Sequence, residues 1–351
     1  MTAAMADVSP LPLQPGIARV STASHAHAAI GPRRTYGALD LGTNNCRLLI
    51  ARPAPEGFVI VDAFSRIVRL GEGLAATGRL SDAAMERAVS ALRICAEKLR
   101  RRHVHISRSV ATEACRRAAN ADQFVERVRR ETGILIDVIP AEEEARLAVM
   151  GCHILLEDGD GPALIFDIGG GSTELVLVDT CGPLPETLDW YSAPWGVVSL
   201  TEVEPGDTST LEGRLDIYNR MRARVSQSFA GFAARLPQSA REHMRLLGTS
   251  GTVTTLASVH LGLPSYERSA VDGLVVPADS MRGVSQSLSR MSHAERVELP
   301  CIGHERADLV VAGCAILESI LDIFPAERLG VADRGIREGI LRTLMARDGF
   351  Q

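Results

Sequence analysis

Two short stretches constrain the fold more than anything else in this chain: LDLGTNNCRLLIA (39–51) and FDIGGGSTELVLV (166–178). Setting Asp40 over Asp167 brings them into step. Each has an apolar strand ending in an aspartate, a turn of small residues, then a second apolar strand. Each is followed by a further strand-like run, FVIVDAFSRIVRLGEGL after the first and ETLDWYSAPWGVVSLTE after the second. Any two hairpins that open α/β domains share some of this pattern. The shared aspartate and turn length favour duplication, and hence two similar α/β lobes facing each other across a cleft.

The rest of the chain fills in those lobes. Helical spacing runs over 81–102, with Ser81 placed as an N-cap, and over about 113–132. HVHISRSVAT and ILIDVIP read as strands, with His103 and His105 alternating on the first. A long polar helix is expected over about 208–235, then a strand in MRLLGTSG. An apolar helix in RADLVVAGCAILESILDIF, a strand in RLGVAD and a final helix in GIREGILRTLMA complete the pattern. The expected division is a disordered Ala/Pro/Ser-rich lead-in over 1–35, a first lobe of 36–141 plus about 334–351, and a second lobe of 142–333. No apolar run is long enough to cross a bilayer. Seven cysteines without a CxxC pair are expected to be reduced thiols, which points to a cytoplasmic location.

Composition removes several mechanisms. Of 38 Lys plus Arg residues only Lys98 is lysine, so a P-loop, which needs Gly-Lys before Ser/Thr, is excluded. Any phosphate must be held by backbone N–H groups, arginines or a metal. A net charge of −5 gives no general attraction for nucleic acid, so an anionic ligand requires a local arginine cluster.

The turns suggest such an anion site. Gly169, Gly170 and Gly171 remove every Cβ from the second turn, which lets successive N–H groups approach a phosphate, and Ser172 can add a hydroxyl. On the glycines alone, a plain tight turn is as good a reading. The third small-residue turn, LLGTSGTVTTL (246–256) with Gly248, Ser250 and Gly251, favours convergence on one phosphate-rich ligand. Asp167 and Asp40 at strand ends are candidate Mg²⁺ ligands, since that ion takes oxygen donors and brings phosphate oxygens with it. Asn44 and Asn45 are candidate phosphate donors, although Asn also suits a turn for its backbone alone. PAEEEARLAVMG places Glu142, Glu143 and Glu144 in a first helical turn, about 100° apart, so at most one can face a given cleft. Carboxylates there also stabilise the helix dipole with no catalytic role, and composition does not choose between the readings.

Together, ALDLGTNN, VATEACRRAAN, AEEEARLAVMG, FDIGGGSTELV, LGTSGTVTTLA and ADRGIREGIL occur in an order and spacing that resemble the exopolyphosphatase/guanosine pentaphosphate phosphatase family, from about residue 36 onward. The resemblance implies two ribonuclease-H-like lobes of the sugar kinase/Hsp70/actin superfold with an active site between them. It implies removal of terminal phosphate from inorganic polyphosphate, with conversion of pppGpp to ppGpp as a second activity of some members. It implies Glu143 as the base that activates water, and Glu174 as a second acidic residue helping Asp167 hold Mg²⁺, or Mn²⁺ in its place. It also implies Arg116 as a phosphate-gripping guanidinium, and a homodimer. The family's commoner first turn reads GSNS, so the role of Asn45 does not carry over directly. Longer members continue into a helical region with a His-Asp motif absent here, so the short two-domain form is expected. Two rivals stay open: a kinase or ATPase of the same superfold, and a polyphosphate or alarmone sensor without turnover.

Overall fold

The computed structural model describes residues 34–55, 57–159, 161–182, 184–236 and 244–350. The lead-in expected over 1–35 lies outside the described residues up to Arg33. Its last two residues belong to the fold: Arg34 donates to Asp348 Oδ2 at 2.8 Å, and Thr35 is buried, its N–H donating to His105 Nδ1 at 3.1 Å. His103 lies in a turn with φ 50°, not on a strand, and the adjoining strand begins at Ile106.

The first sheet has the order β3-β2-β1-β4-β5, built from β1 (Tyr36–Leu41), β2 (Asn45–Ala54), β3 (Gly57–Ile67), β4 (Ile106–Ala111) and β5 (Ile136–Val138). β1, β2 and β3 form an antiparallel meander, and β4 and β5 run parallel to β1. The second sheet contains β6 (Ala163–Ile168), β7 (Thr173–Asp179), β8 (Glu186–Ala193), β9 (Arg245–Thr249), β10 (Val275–Pro277) and β11 (Arg328–Ala332), in the order β10-β11-β9-β6-β7-β8. Without the edge strand β10, the two orders are the same. This is an α/β protein of two similar lobes, as the repeated strand-turn-strand pattern suggests, and they are ribonuclease-H-like, as the family resemblance implies. The central strands β1 and β6 are almost continuously apolar because both faces are covered. β3, at an edge, leaves Val59 and Ile60 exposed.

Helix signals mostly act as their chemistry dictates. Ser81 Oγ accepts from Ala84 N at 3.2 Å and starts the helix Asp82–Arg101, whose last turn carries Lys98, Arg100 and Arg101 against the dipole. The helix expected over 113–132 is two, Glu113–Arg117 and Ala121–Thr132. Asn120 interrupts it, its amide bonding both the N–H and the carbonyl of Leu80. The strand-like ETLDWYSAPWGVVSLTE turns helical at Val197–Val203 after Pro194. Among the described residues, no helix is long and apolar enough to cross a membrane.

The helix that follows each sheet's last parallel strand crosses over to cover the other sheet. The helix Ala141–Cys152 follows β5 but packs Ala145, Val149 and Cys152 against β6 and β7. The helix Ile336–Arg347 follows β11 but packs Ile340, Leu341 and Met345 against β1 and β2. The two helices cross backbone to backbone. A Cβ on Gly151 would collide with the Gly335 carbonyl, and one on Gly339 with that of Leu147. Two polar contacts also join the lobes: Gly73 N–H donates to Glu202 Oε1 at 2.8 Å, and Arg69 pairs with Asp308 at 3.4 Å.

Candidate active site

In both sheets the strands parallel to the first end on the same side, and ligands in such sheets bind beyond the carboxyl ends of strands. The turns after β1, β4, β6, β9 and β11 line one cavity of about 130 Å³ between the lobes. Gly169, Gly170 and Gly171 lie in its wall, and none has a positive φ. Their smallness serves close approach: a Cβ on Gly170 would meet the Asn44 backbone nitrogen at 3.0 Å, and one on Gly171 would meet Thr43 Oγ1 at 2.6 Å and Glu113 Cγ at 2.9 Å. The second turn is therefore pressed against the first. The Gly169 and Gly170 carbonyls accept from Val197 and Val198 N–H at the start of the helix Val197–Val203.

The first-lobe wall presents unsatisfied oxygens. Asp40 Oδ1, Thr43 Oγ1 and Asn44 Oδ1 are buried without a hydrogen-bond partner, which buried polar atoms rarely tolerate. Arg47, directly opposite Asp40 in the β1–β2 register, also lines the cavity. Arg306, Arg334 and Arg337 add positive charge from the second lobe and the lobe-crossing turn. Arg306 is held by the Thr255 hydroxyl, and burial, with Arg47 nearby, makes its charged form costlier than usual.

Three carboxyls, Asp40, Glu144 and Asp167, line the wall with these cations, and a fourth, Glu174, lies behind it. Burial, reinforced by Glu174, raises Glu144 well above the usual carboxylate range, and Arg116 opposes the rise. Burial raises Asp167 to about 6, partly offset by Arg47, and it raises Asp40 against the same arginine. Glu174 pairs with Asp167 across β6–β7, accepts from Ser192 Oγ at 2.8 Å, and is pushed up to about 7 by burial and by Asp167.

The residues expected at the site divide into two groups. Asp40, Asn44, Asn45, Asp167, Gly169, Gly170, Gly171, Ser172, Ser250 and Gly251 line the cavity together. Glu143 does not. Its carboxylate accepts from Arg146 at 2.7 Å and Arg108 at 2.8 Å, and these bonds outweigh partial burial to hold it down to about 2. The neighbouring residue, Glu144, is the one turned inward, at 7% exposure. Arg116 is also absent from the wall, because its guanidinium is committed to Glu113, Glu144 and the Ile139 carbonyl. Gly248 sits within β9 against the Phe166 ring, and Glu174 stands behind the wall.

The sequence reading also passed over Arg47, Arg306, Asp333, Arg334 and Arg337, although ADRGIREG had been singled out as a motif. A signal for Glu144 did exist. Arg146, three residues after Glu143, marks the exposed face, whereas Glu144 is in phase with Ala148 and Gly151.

Among the described residues, no group of three or more His, Cys, Asp or Glu is placed to hold a metal alone. Asp40 and Asp167, with an unpartnered oxygen on Asp40, fit the other mode of Mg²⁺ binding, in which one or two carboxylates share the ion with substrate phosphates and water.

Residues 49–348 match the Ppx/GppA phosphatase family. The chain is 32% identical over 321 residues to Exopolyphosphatase 2 of Mycobacterium tuberculosis, covering 88% of this chain and 97% of that one. It is 31% identical to the guanosine-5'-triphosphate,3'-diphosphate pyrophosphatase of Aeromonas salmonicida, over 88% of this chain and 59% of that protein. Among solved structures, the Aquifex aeolicus member of the Ppx/GppA family superposes with a TM-score of 0.72 at 28% identity, covering 91% of this chain and all of the other. An exopolyphosphatase-like protein superposes at 0.79 with 30% identity, over 89% of this chain and 99% of the other.

Proposed function

The chain belongs to the Ppx/GppA phosphatase family, and on that premise we propose that it is an exopolyphosphatase in which Glu144, not Glu143, is the general base. The observation that carries this reading is a carboxyl, Glu144, buried on the wall of an arginine- and glycine-lined cavity, its pKa raised by that burial. Water attacks the terminal phosphorus while Glu144 takes its proton. The bond from that phosphorus to the bridging oxygen breaks, and the chain leaves one phosphate shorter, with orthophosphate as the other product. Arg47, Arg306 and Arg337 hold phosphate oxygens, and the Asn44, Asn45 and Ser172 side chains orient them. Asp40 and Asp167 would hold Mg²⁺, or Mn²⁺, which would supply neutralisation of charge on the transferred phosphoryl group. Glu174, behind Asp167, accepts from Ser192 and raises the pKa of Glu144.

The likeness to the Aeromonas pyrophosphatase favours pppGpp as a second substrate, since its 5′ end is the same phosphoanhydride. The protein works as a cytoplasmic homodimer in this reading. The test is free phosphate release from polyphosphates of defined length beside pppGpp, with and without Mg²⁺. Release that requires Mg²⁺ is expected. Transfer of phosphate from ATP to sugars or acids without release, or tight binding with no turnover, would replace the hydrolase with a kinase or a sensor.

A further inference from the structure

We propose that Arg116 positions the Glu144 carboxylate and is not a phosphate ligand; this rests on the reading of Glu144 as the base. The guanidinium lies between two acids. Nη1 donates to Glu144 Oε2 at 2.6 Å and to the Ile139 carbonyl at 3.0 Å, while Nη2 and Nε donate to Glu113 Oε2 at 2.8 and 3.2 Å. An arginine has five N–H donors in a rigid fork, and these bonds use all but one. A phosphate could recruit this group only by stripping it from Glu144.

The chain of contacts explains what the pairing achieves. Ile139 lies just before the helix that carries Glu144, and Arg116 sits in the last turn of the short helix after β4. The guanidinium thus ties two cavity-facing elements together. Its other anchor, Glu113, lines the cavity and packs against Gly171 of the second lobe's turn, where a Cβ would meet Glu113 Cγ at 2.9 Å. The glycine turn therefore sets the place of Glu113, Glu113 that of Arg116, and Arg116 that of Glu144. Arg116 takes only Oε2 of Glu144, so a fixed base oxygen remains to accept the water proton. With Glu174 and Asp167 both acting on Glu144 as like charges, Arg116 is also the cation that balances that carboxylate.

The test measures kcat and KM for phosphate release from tripolyphosphate with Mg²⁺ in Arg116→Gln, Arg116→Lys and Glu113→Gln. For Arg116→Gln, kcat should fall about 100-fold with KM within about threefold, because removing a base's function costs rate more than binding. Methylguanidine should restore about tenfold of that loss, and Arg116→Lys should fall between Arg116→Gln and the parent. A KM raised about tenfold with kcat retained would make Arg116 a phosphate ligand and overturn the proposal, as would a loss of rate that methylguanidine does not touch. Should Arg116→Gln fail to fold, Glu113→Gln, which loosens only the far anchor, should lower kcat about fivefold at unchanged KM; an unchanged kcat there would also overturn it. Glu144→Gln separates the two levels. Full activity in that variant defeats the base assignment and this inference together. An inactive Glu144→Gln beside an Arg116→Gln that only raises KM defeats this inference alone.

Discussion

The two hairpins occupy matching places in the two lobes but differ in the charge that stands across from the aspartate. Opposite Asp40 in the first lobe stands Arg47, and opposite Asp167 in the second stands Glu174. Beside Asp40 the cation Arg47 stands on the cavity wall, which equips the first hairpin to hold a phosphate oxygen, while the unpartnered oxygens of Asp40 and Asn44 are acceptors that suit a metal ion or a donor. Behind Asp167 lies a second, buried acid, Glu174, so the second hairpin sets carboxyls that hold protons or a cation beside a glycine backbone that suits a phosphate. The two hairpins share one frame, and the position across from each aspartate distinguishes them.

The largest expected effect tests the acidic side. Glu174→Gln should lower kcat for phosphate release about 100-fold with little change in KM, because Glu174 acts through Glu144 rather than on bound phosphate. A raised KM with intact kcat would erase the contrast with Arg47. On the basic side, Arg47→Gln should raise KM about tenfold to a hundredfold, the loss of a charge-assisted hydrogen bond of about 1.5–3 kcal/mol. A purely catalytic defect in that variant would contradict the division.

A smaller effect concerns stability. Asp167 and Glu174 have folded pKa values raised to about 6 and about 7, so each favours the folded state while protonated. That contribution is present at low pH and lost as pH climbs through the folded values. The Tm of the ligand-free protein should therefore fall between about pH 5 and about pH 8, and Glu174→Gln should flatten the fall. A Tm that rises over that interval, or a fall that Glu174→Gln leaves untouched, would show that burial does not set these pKa values.

Much of this was legible in the sequence because it is local. Strand, turn and strand around Asp40 and Asp167 follow from alternation of apolar runs with small residues, and the two turns do meet. What was not legible depends on partners distant in the chain. Arg47 reads as one more residue of a strand, and only its pairing with Asp40 turns it to the cavity. Arg116 reads as a free cation until β4 and the helix Ala141–Cys152 bring Glu113, Ile139 and Glu144 around it. The choice between Glu143 and Glu144 is a matter of helix phase. It was set by Arg108 and Arg146 drawing Glu143 outward, while the packing of Ala148 and Gly151 turned Glu144 in. The break at Asn120 likewise needed Leu80, forty positions away, as the amide's partner.

The most direct measurement is phosphate release from tripolyphosphate with Mg²⁺ by Glu144→Gln and Glu143→Gln side by side, each confirmed folded by its melting curve. Glu144→Gln should lose activity about 100-fold or more, and Glu143→Gln should stay within about twofold of the parent. An inactive Glu143→Gln beside an active Glu144→Gln would contradict the account.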